Sequence, residues 1–411
     1  MTVKRASGGC PQNQHQGRTD VNIQVKSADF RRAIVLAGKV IEKRNSIPVL
    51  SMVRCHANGS FQATGTDLDM SLTATVARIP GAGADFSMQS PKSVVSALSA
   101  AGGDTVSVTP RDGNVALASG PLTISVGTLP SDDFPTGLDL PLSADFSATL
   151  SREHIDVLAR VADAMSSEET RYYLNGLHLQ STGETTVRAE ATDGHRMYFA
   201  DVELLDAVGT LPANCIIPRK AVALLFDLAK SASDGIRVTV GPALISNQIE
   251  GTAPERSGAP RISVSMRERA AEVVFQSKLI DGTFPDVSRI IPAAGKTQFL
   301  FQLPDLRRAI AAISGHSSTV RATRIMLAEG GTAKISAAFI DIGLSAEVIV
   351  PCQHTSPGFE IGYNGRYLTS VINSCRGSEV LFDCVDGVGP GLVRDPADTT
   401  WTAVLMPMRF N

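Results

Sequence analysis

Four landmarks recur in the same order three times along the chain, and an internal repeat constrains a fold more tightly than any single motif. The first landmark is an amphipathic helical segment, at 28–44, 151–165 and 304–316. In the first copy Phe30, Ile34, Ala37 and Ile41 fall at helical spacing on one face. The second is a strand pair around an acidic residue: Thr66-Asp67-Leu68-Asp69, then Thr192-Asp193-Gly194-His195, then Ile340-Asp341. The third is another helix, at 90–101, 217–230 and 363–375, each with a basic residue near its start. The fourth is a closing strand, running into LPSDDFP, into KLIDGTFPDV, and into TAVLMPMRF at the end of the chain. Asp67 and Asp193 keep nearly the same separation as Pro91 and Pro218. The third copy lies farther on because 245–270 carries a Gly-, Pro- and charge-rich insertion, expected as a surface loop.

Between the landmarks, segments such as TVSVTP, NVALAS, IRVTVG and FEIGYN alternate apolar and polar residues, the period of half-buried antiparallel strands. Each repeat is therefore an α+β unit of sheet and two helices. The expected domains are 21–145, 146–287 (with the insertion) and 288–411, after a disordered polar tail at 1–20. With 411 residues and 43% hydrophobic content, the chain has ample material for such cores. No apolar run approaches the ~20 residues of a membrane span. Lys4 and Arg5 are followed by no apolar stretch, so no signal peptide is expected. The six cysteines are scattered without a C-x-x-C pair, which suits reduced thiols in a cytoplasm and no zinc finger. Aromatics make up only 5%, too few for a base-stacking platform.

A net charge of −3 argues against a nucleic-acid binder, but its distribution does not. The six helical segments together carry +8, which leaves −11 for everything else. Such a field attracts a polyanion to one surface and repels it elsewhere. Helices pack about 8–10 Å apart, so twelve lining a closed ring leave a hole of roughly 28 Å once helix thickness is subtracted. Duplex DNA, about 20 Å across, passes through that hole with a layer of water. Six helices would leave roughly 9 Å and eighteen about 47 Å, so two chains per ring fit best.

The segments RYYLNG (171–176), ATDGHR (191–196), IPRK (217–220), KLIDGTFPD (278–286) and LMPMRF (405–410) strongly resemble the beta subunit of bacterial DNA polymerase III, the sliding clamp. The resemblance covers about 21–411, triplication included. It implies three tandem clamp domains and a head-to-tail homodimeric ring, with helices lining the hole and antiparallel sheets outside. It also implies a non-catalytic role without cofactor or metal: encircling duplex DNA and tethering the replicative polymerase, which confers processivity. The implied partners are a clamp loader, the DNA polymerase III alpha subunit and other proteins carrying clamp-binding peptides.

By the same resemblance, the partner groove lies between the second and third units. It would be lined by Leu174, Thr192, Gly194, His195, Arg196, Met197, Pro285, Arg289, Ile290, Asn364, Tyr367, Val388, Pro390, Val404, Met406, Pro407, Met408 and Arg409. Leu, Ile, Val and Met residues suit an adaptable apolar cleft, and Arg196, His195 and Asn364 can fix polar ends of a peptide. Pro390 stands where a small polar residue looks more usual, Met197 where a Leu does, and Phe410-Asn411 extends the ending by one residue. Duplex contacts would fall to Arg44, Arg171, Tyr172, Tyr173, Arg219 and Lys220, groups suited to phosphate oxygens. On an alternating strand, one of the two tyrosines would be core and the other surface. The dimer contact would set Ile124 and Val126 against Ile310 and Ile313.

Enzyme readings fail on the residues. Asp193-Gly194-His195 invites an acid–base reading, but neither other repeat has the His, and Asp-Gly is ordinary turn chemistry. AAGKT (293–297) lacks the first Gly of a phosphate loop, which would fall at Ile290. GVGPG (387–391) has Leu392 where a dinucleotide fingerprint needs its third Gly. Two other classes remain open from the residues alone. A monomeric peptide-binding scaffold would show no DNA affinity, and a hydrolase would lose turnover on His195→Ala.

Overall fold

A computed structural model describes residues 22–409, except 43–44, 78–82, 205, 246–253, 293–294, 315–321 and 340–341, and except the side chains of 289 and 314. The expected tail at 1–20, Arg44, Asp341, the side chain of Arg289 and Phe410-Asn411 lie outside the described residues. The chain forms two compact units: Met1–Gly65 with Ala74–Phe134, and Thr66–Thr73 with Pro135–Asn411.

In the first unit, strands neighbour one another in the order Ile23–Lys26, Thr105–Arg111, Asn114–Ser119, Leu122–Leu129, Ala84–Met88, Val53–Asn58 and Ser60–Thr66. Helices α1 (Ser27–Ala37) and α2 (Pro91–Ala101) belong to this unit. Phe30, Ala33, Ile34 and Ala37 form the buried stripe of α1 at the 3.6-residue period. The helix ends at Gly38, short of the Arg44 that periodicity suggested. Pro91 starts α2, and Gly102 at φ +69° closes it in the left-handed conformation that glycine adopts without Cβ cost.

The second unit holds the second and third repeats. One run of strands follows the order Ala271–Lys278, Glu255–Glu268, Ile236–Ile245, Phe146–Leu150, Val208–Gly209. The other has twelve strands among the described residues, and in it Arg196–Glu203 of the second repeat pairs antiparallel with Asp398–Leu405 of the third. The register runs from Arg196↔Leu405 to Ala200↔Trp401, so one sheet passes from repeat to repeat. Helices α3 (Arg152–Ala162), α4 (Arg219–Ala229), α5 (Leu303–Ser314) and α6 (Gly365–Ser374) complete the unit. Ser151 and His154 close a reciprocal capping box on α3. Trp401, fully buried, meets Tyr198 edge-on at 5.4 Å and Arg160 of α3 at 5.6 Å, which fastens that helix to the shared sheet.

The expected loop at 245–270 is corrected. Glu255–Glu268 is a strand paired with Ile236–Ile245 and with Ala271–Lys278, and only 246–253 of the stretch lies outside the described residues. Ile262, Val264 and Met266 alternate into the core. Pro260, in that Gly- and Pro-rich stretch, falls where the facing strand shifts register between Gly241 and Ala243, so no ladder bond is lost. This hairpin also holds the segment before α3. Leu244 N donates to Pro141 O at 2.8 Å, and Arg256 pairs with Asp145 at 2.5 Å.

Candidate functional site

The groove residues come from short stretches far apart in sequence, and the turn at Asp193 organises them. Asp193 Oδ1 accepts from His195 N at 2.9 Å and Arg196 N at 3.0 Å, while Thr192 Oγ1 accepts from Gly194 N at 3.1 Å. Gly194 sits at φ +88°, and a Cβ there would approach an Arg171 nitrogen to 2.4 Å. The left-handed conformation favours glycine there, and a Cβ would push the Arg171 guanidinium aside. The first repeat places Leu68 in the corresponding turn at φ +77°.

Arg196 ties this turn to both neighbouring helices. Its guanidinium donates to Asp193 at 3.2 Å, to Asp163 beyond α3 at 3.0 Å and to Ser370 of α6 at 2.6 Å. It also lies 4.9 Å over the Tyr367 ring. Burial opposes the Arg196 charge, but Tyr198, Asp163 and Asp193 outweigh it and hold the group above its ordinary pKa. The His195 ring runs nearly parallel to Tyr367 at 6.3 Å. Burial, then Asp193, raises the Tyr367 phenol. Asn364 caps α6 by accepting from Arg366 N at 3.0 Å. With Asp193 engaged by backbone N–H groups and Arg196, no base is poised at His195.

Beneath the turn, Leu174, Met197 and Val404 pack with Ile216, Phe284, Val287 and Leu392 in one buried cluster, against which Tyr173 and Ile291 lean. The three residues expected as open lining are thus its floor. The apolar groups that water reaches are Ile290, Val388, Met406 and Met408, which are 44, 81, 42 and 37% exposed. Met406 N donates to His195 O at 2.9 Å and Met408 N to Gly362 O at 2.7 Å, so the chain end is stitched across the two repeats. Val388 and Gly389 donate backbone N–H groups to Asp386, which lowers that carboxyl's pKa and fixes the loop beside Pro390. Pro285 and Arg409 are exposed, and Pro390 and Pro407 are half-buried. Sequence reasoning missed Ile216, Phe284, Val287 and Leu392. Phe284 stands inside a quoted motif, and strand alternation marks the others only as core.

The residues expected on DNA have internal partners. Arg171 donates to Glu168 at 3.0 and 2.8 Å and to Asp193 O at 3.1 Å, which makes it a support of the groove turn. Arg219 donates to Met165 O at 2.8 Å, and Lys220 pairs with Asp67. A duplex phosphate would have to compete with these groups. Tyr172 is exposed, and Tyr173 packs against the groove floor. The dimer expectation is corrected on one side. Ile310 and Ile313 are 2 and 1% exposed because they form the apolar stripe of α5, so they cannot meet a second copy. Ile124 and Val126 are half-buried on Leu122–Leu129. Among the described residues, no group of three or more His, Cys, Asp or Glu could hold a metal ion, and no helix is long and apolar enough to cross a membrane.

Three two-helix, antiparallel-sheet repeats, the second and third sharing one sheet beside the exposed apolar groups Ile290, Val388, Met406 and Met408, are the architecture of a DNA sliding clamp, a non-catalytic processivity factor for the replicative polymerase. The N-terminal, central and C-terminal domain models of the DNA polymerase III beta subunit match residues 21–139, 150–286 and 288–409. The chain belongs to the DNA polymerase III beta subunit family. It is 28% identical to the beta sliding clamp of Caulobacter vibrioides over 95% of this chain and 100% of the relative. Identity to the beta sliding clamp of Escherichia coli is also 28%, over 89% of this chain and 94% of the relative. The crystal structure of the Bartonella birtlesii DnaN sliding clamp, bound to griselimycin, superposes with a TM-score of 0.81 at 28% identity, covering 95% of this chain and 100% of that one.

Proposed function

We propose that two copies of the chain close head to tail into a ring around duplex DNA, and that the groove around Met406 and Met408 docks peptide segments of its partners. Those partners are the clamp loader, the DNA polymerase III alpha subunit and other clamp-binding proteins. The domains are bounded at 21–145, 146–287 and 288–411, and the compartment is the cytoplasm. The five cysteines among the described residues are free and buried, which suits that reducing environment.

One observation carries the ring. Inside the chain, the returning strand of the second repeat, Arg196–Glu203, pairs with the closing strand of the third, Asp398–Leu405. The returning strand of the third repeat, Leu344–His354, pairs along one side with Thr332–Phe339 and on the other only at 352–354 among the described residues. The closing strand of the first repeat, Leu122–Leu129, pairs with Asn114–Ser119 and, among the described residues, on its other side only at 128–129. Two half-open edges of the kinds that pair elsewhere in the chain are complementary in a second copy. The contact is then backbone to backbone along these edges, in place of α5.

Attachment to DNA is topological, so phosphate contacts need only be weak. Light scattering at micromolar concentration should give twice 43.3 kDa. A chain that stays monomeric both free and on DNA would defeat the ring. Rings loaded on closed circular DNA should resist salt that strips them from linear DNA, and equal loss from both would exclude topological binding.

A further inference from the structure

Phe284 has two sets of neighbours. Its side chain belongs to the groove-floor cluster with Leu174, Met197 and Val404, and its ring also stacks on His178, with centroids 4.6 Å apart and planes 14° from parallel. It lies on an irregular stretch between the strand Ala271–Lys278 and the turn Val287–Ile290, so neither a strand ladder nor a helix fixes its direction. Pro285 follows it directly, Asp286 caps the turn by accepting from Ser288 N at 3.1 Å, and Ile290, 44% exposed, ends it. The direction of the Phe284 side chain therefore bears on two residues of the groove reading above, Pro285 and Ile290.

His178 is itself held in place. It faces Glu190 directly across the paired strands Gly176–Ser181 and Thr186–Thr192. Nδ1 lies 3.1 Å from Glu190 Oε2, and the two side chains are 8 and 7% exposed. With the carboxylate as acceptor, Nδ1 carries the proton and the ring has one orientation. The second ring nitrogen, Nε2, is buried with no hydrogen-bond partner among the described residues. A cross-strand apolar pair would fill this position without that orphan, and without the desolvation cost of burying a carboxylate and an imidazole. What an apolar side chain lacks is a flat face held at a fixed angle.

Contact between aromatic rings is directional, because their quadrupoles favour offset-parallel or edge-on arrangements over others. A tethered imidazole thus sets the plane of the phenyl ring laid on it, where a leucine or valine would leave that plane to the packing of the floor alone. We propose that the His178–Glu190 pair is a positioning device: it orients Phe284 and, through it, the Pro285–Ile290 edge of the groove against which an apolar anchor of a bound peptide rests. The inference rests on the groove reading and adds to it a pair outside the lining.

The probe is the peptide most enriched from a random library displayed on phage and panned against the intact protein, with Met408→Asp as the control for the groove. His178→Asn keeps a donor for Glu190 and removes the ring, whereas Glu190→Gln keeps an acceptor for Nδ1 and with it the ring's orientation. Peptide Kd should rise about fivefold in His178→Asn, the worth of one aromatic pair, and stay within about twofold in Glu190→Gln. The double variant His178→Asn with Phe284→Leu should bind no more weakly than Phe284→Leu alone, because His178 acts only through that ring. A para-fluorophenylalanine at position 284 reads the stack without any peptide: its fluorine resonance should move in His178→Asn and hold in Glu190→Gln. An unmoved resonance or an unchanged Kd in His178→Asn, additive losses in the double variant, or equal losses in Glu190→Gln and His178→Asn would each overturn the positioning proposal and leave the groove standing. A library that yields no peptide sensitive to Met408→Asp overturns the groove reading and the proposal with it.

Discussion

Proline at Ser125 should open the ring without unfolding the chain. Thr128 N donates to Gly113 O at 3.1 Å, toward Asn114–Ser119, whereas Gly127 O accepts from Gln89 N at 3.1 Å on the other side. Antiparallel alternation then points the N–H groups of Thr123 and Ser125 at the half-open edge, and those of Ile124 and Val126 into the chain's own ladder. Ser125→Pro removes a donor aimed at the second copy and sets a ring in its path, while every in-chain bond survives. Each lost bond leaves a carbonyl of the partner strand unpaired, at about 1–3 kcal/mol. A two-copy ring has two equivalent seams, so the loss is about 2–6 kcal/mol, a rise in dimer Kd of roughly 30-fold to 20,000-fold. Sedimentation equilibrium across nanomolar to micromolar concentration reads this directly, with circular dichroism as the check on folding. Ile124→Pro, one residue away, should instead break the ladder to Leu117 and destabilise the first unit. A Ser125→Pro protein that dimerises within threefold of its parent would refute the edge-to-edge seam.

Other consequences follow from the groove and its supports. Met408→Asp puts a charge among the exposed apolar groups and should weaken partner-peptide binding at least tenfold by fluorescence anisotropy; unchanged binding would remove Met408 from the site. Arg196→Met keeps the stem but strips Asp193 and Ser370 of their donor, at about 3 kcal/mol. Hydrogen exchange should then quicken at 196–200 and 401–405 and not in the first unit, and equal protection would show that Arg196 does not hold the junction. Burial pushes the Tyr198 phenol up to about 12, with Arg196 and Ser370 only partly offsetting it. Between pH 10 and about 12 the folded chain therefore keeps a proton that the unfolded chain releases, so stability falls as pH rises, by roughly 2–3 kcal/mol at most. Urea midpoints from pH 9 to 11.5 should show this slope, and Tyr198→Phe should flatten it; an unchanged slope would shift the cause to other groups.

The triplication and the helix–sheet alternation were legible in the sequence, because each is a local pattern repeated at near-constant spacing. Boundaries were less so. The Ile34, Ala37, Ile41 pattern continues past Gly38, yet α1 stops there. The strand Glu255–Glu268 was hidden by Gly258 and Pro260, whose cost depends on a partner strand that sequence does not display. Charge was legible but pairing was not. The resemblance marks Arg171 and Lys220 as phosphate contacts, but only the fold brings Glu168 and Asp67 to their charges. Ile310 and Ile313 carried a clear helical core signal that resemblance to a dimer contact overrode. His178 and Glu190 are twelve positions apart, and only strand register makes them one feature.

In the ring proposed above, the in-chain pairing of Arg196–Glu203 with Asp398–Leu405 and the two pairings between copies are one kind of seam, but they differ in strength. The one inside the chain is tethered by peptide, so a strand that lets go meets its partner again at an effective concentration in the millimolar range. The two between copies have only the bulk concentration of protein to bring them back. Similar hydrogen bonds thus yield joints that re-form quickly and joints that, once parted, stay parted long enough for a double helix to pass.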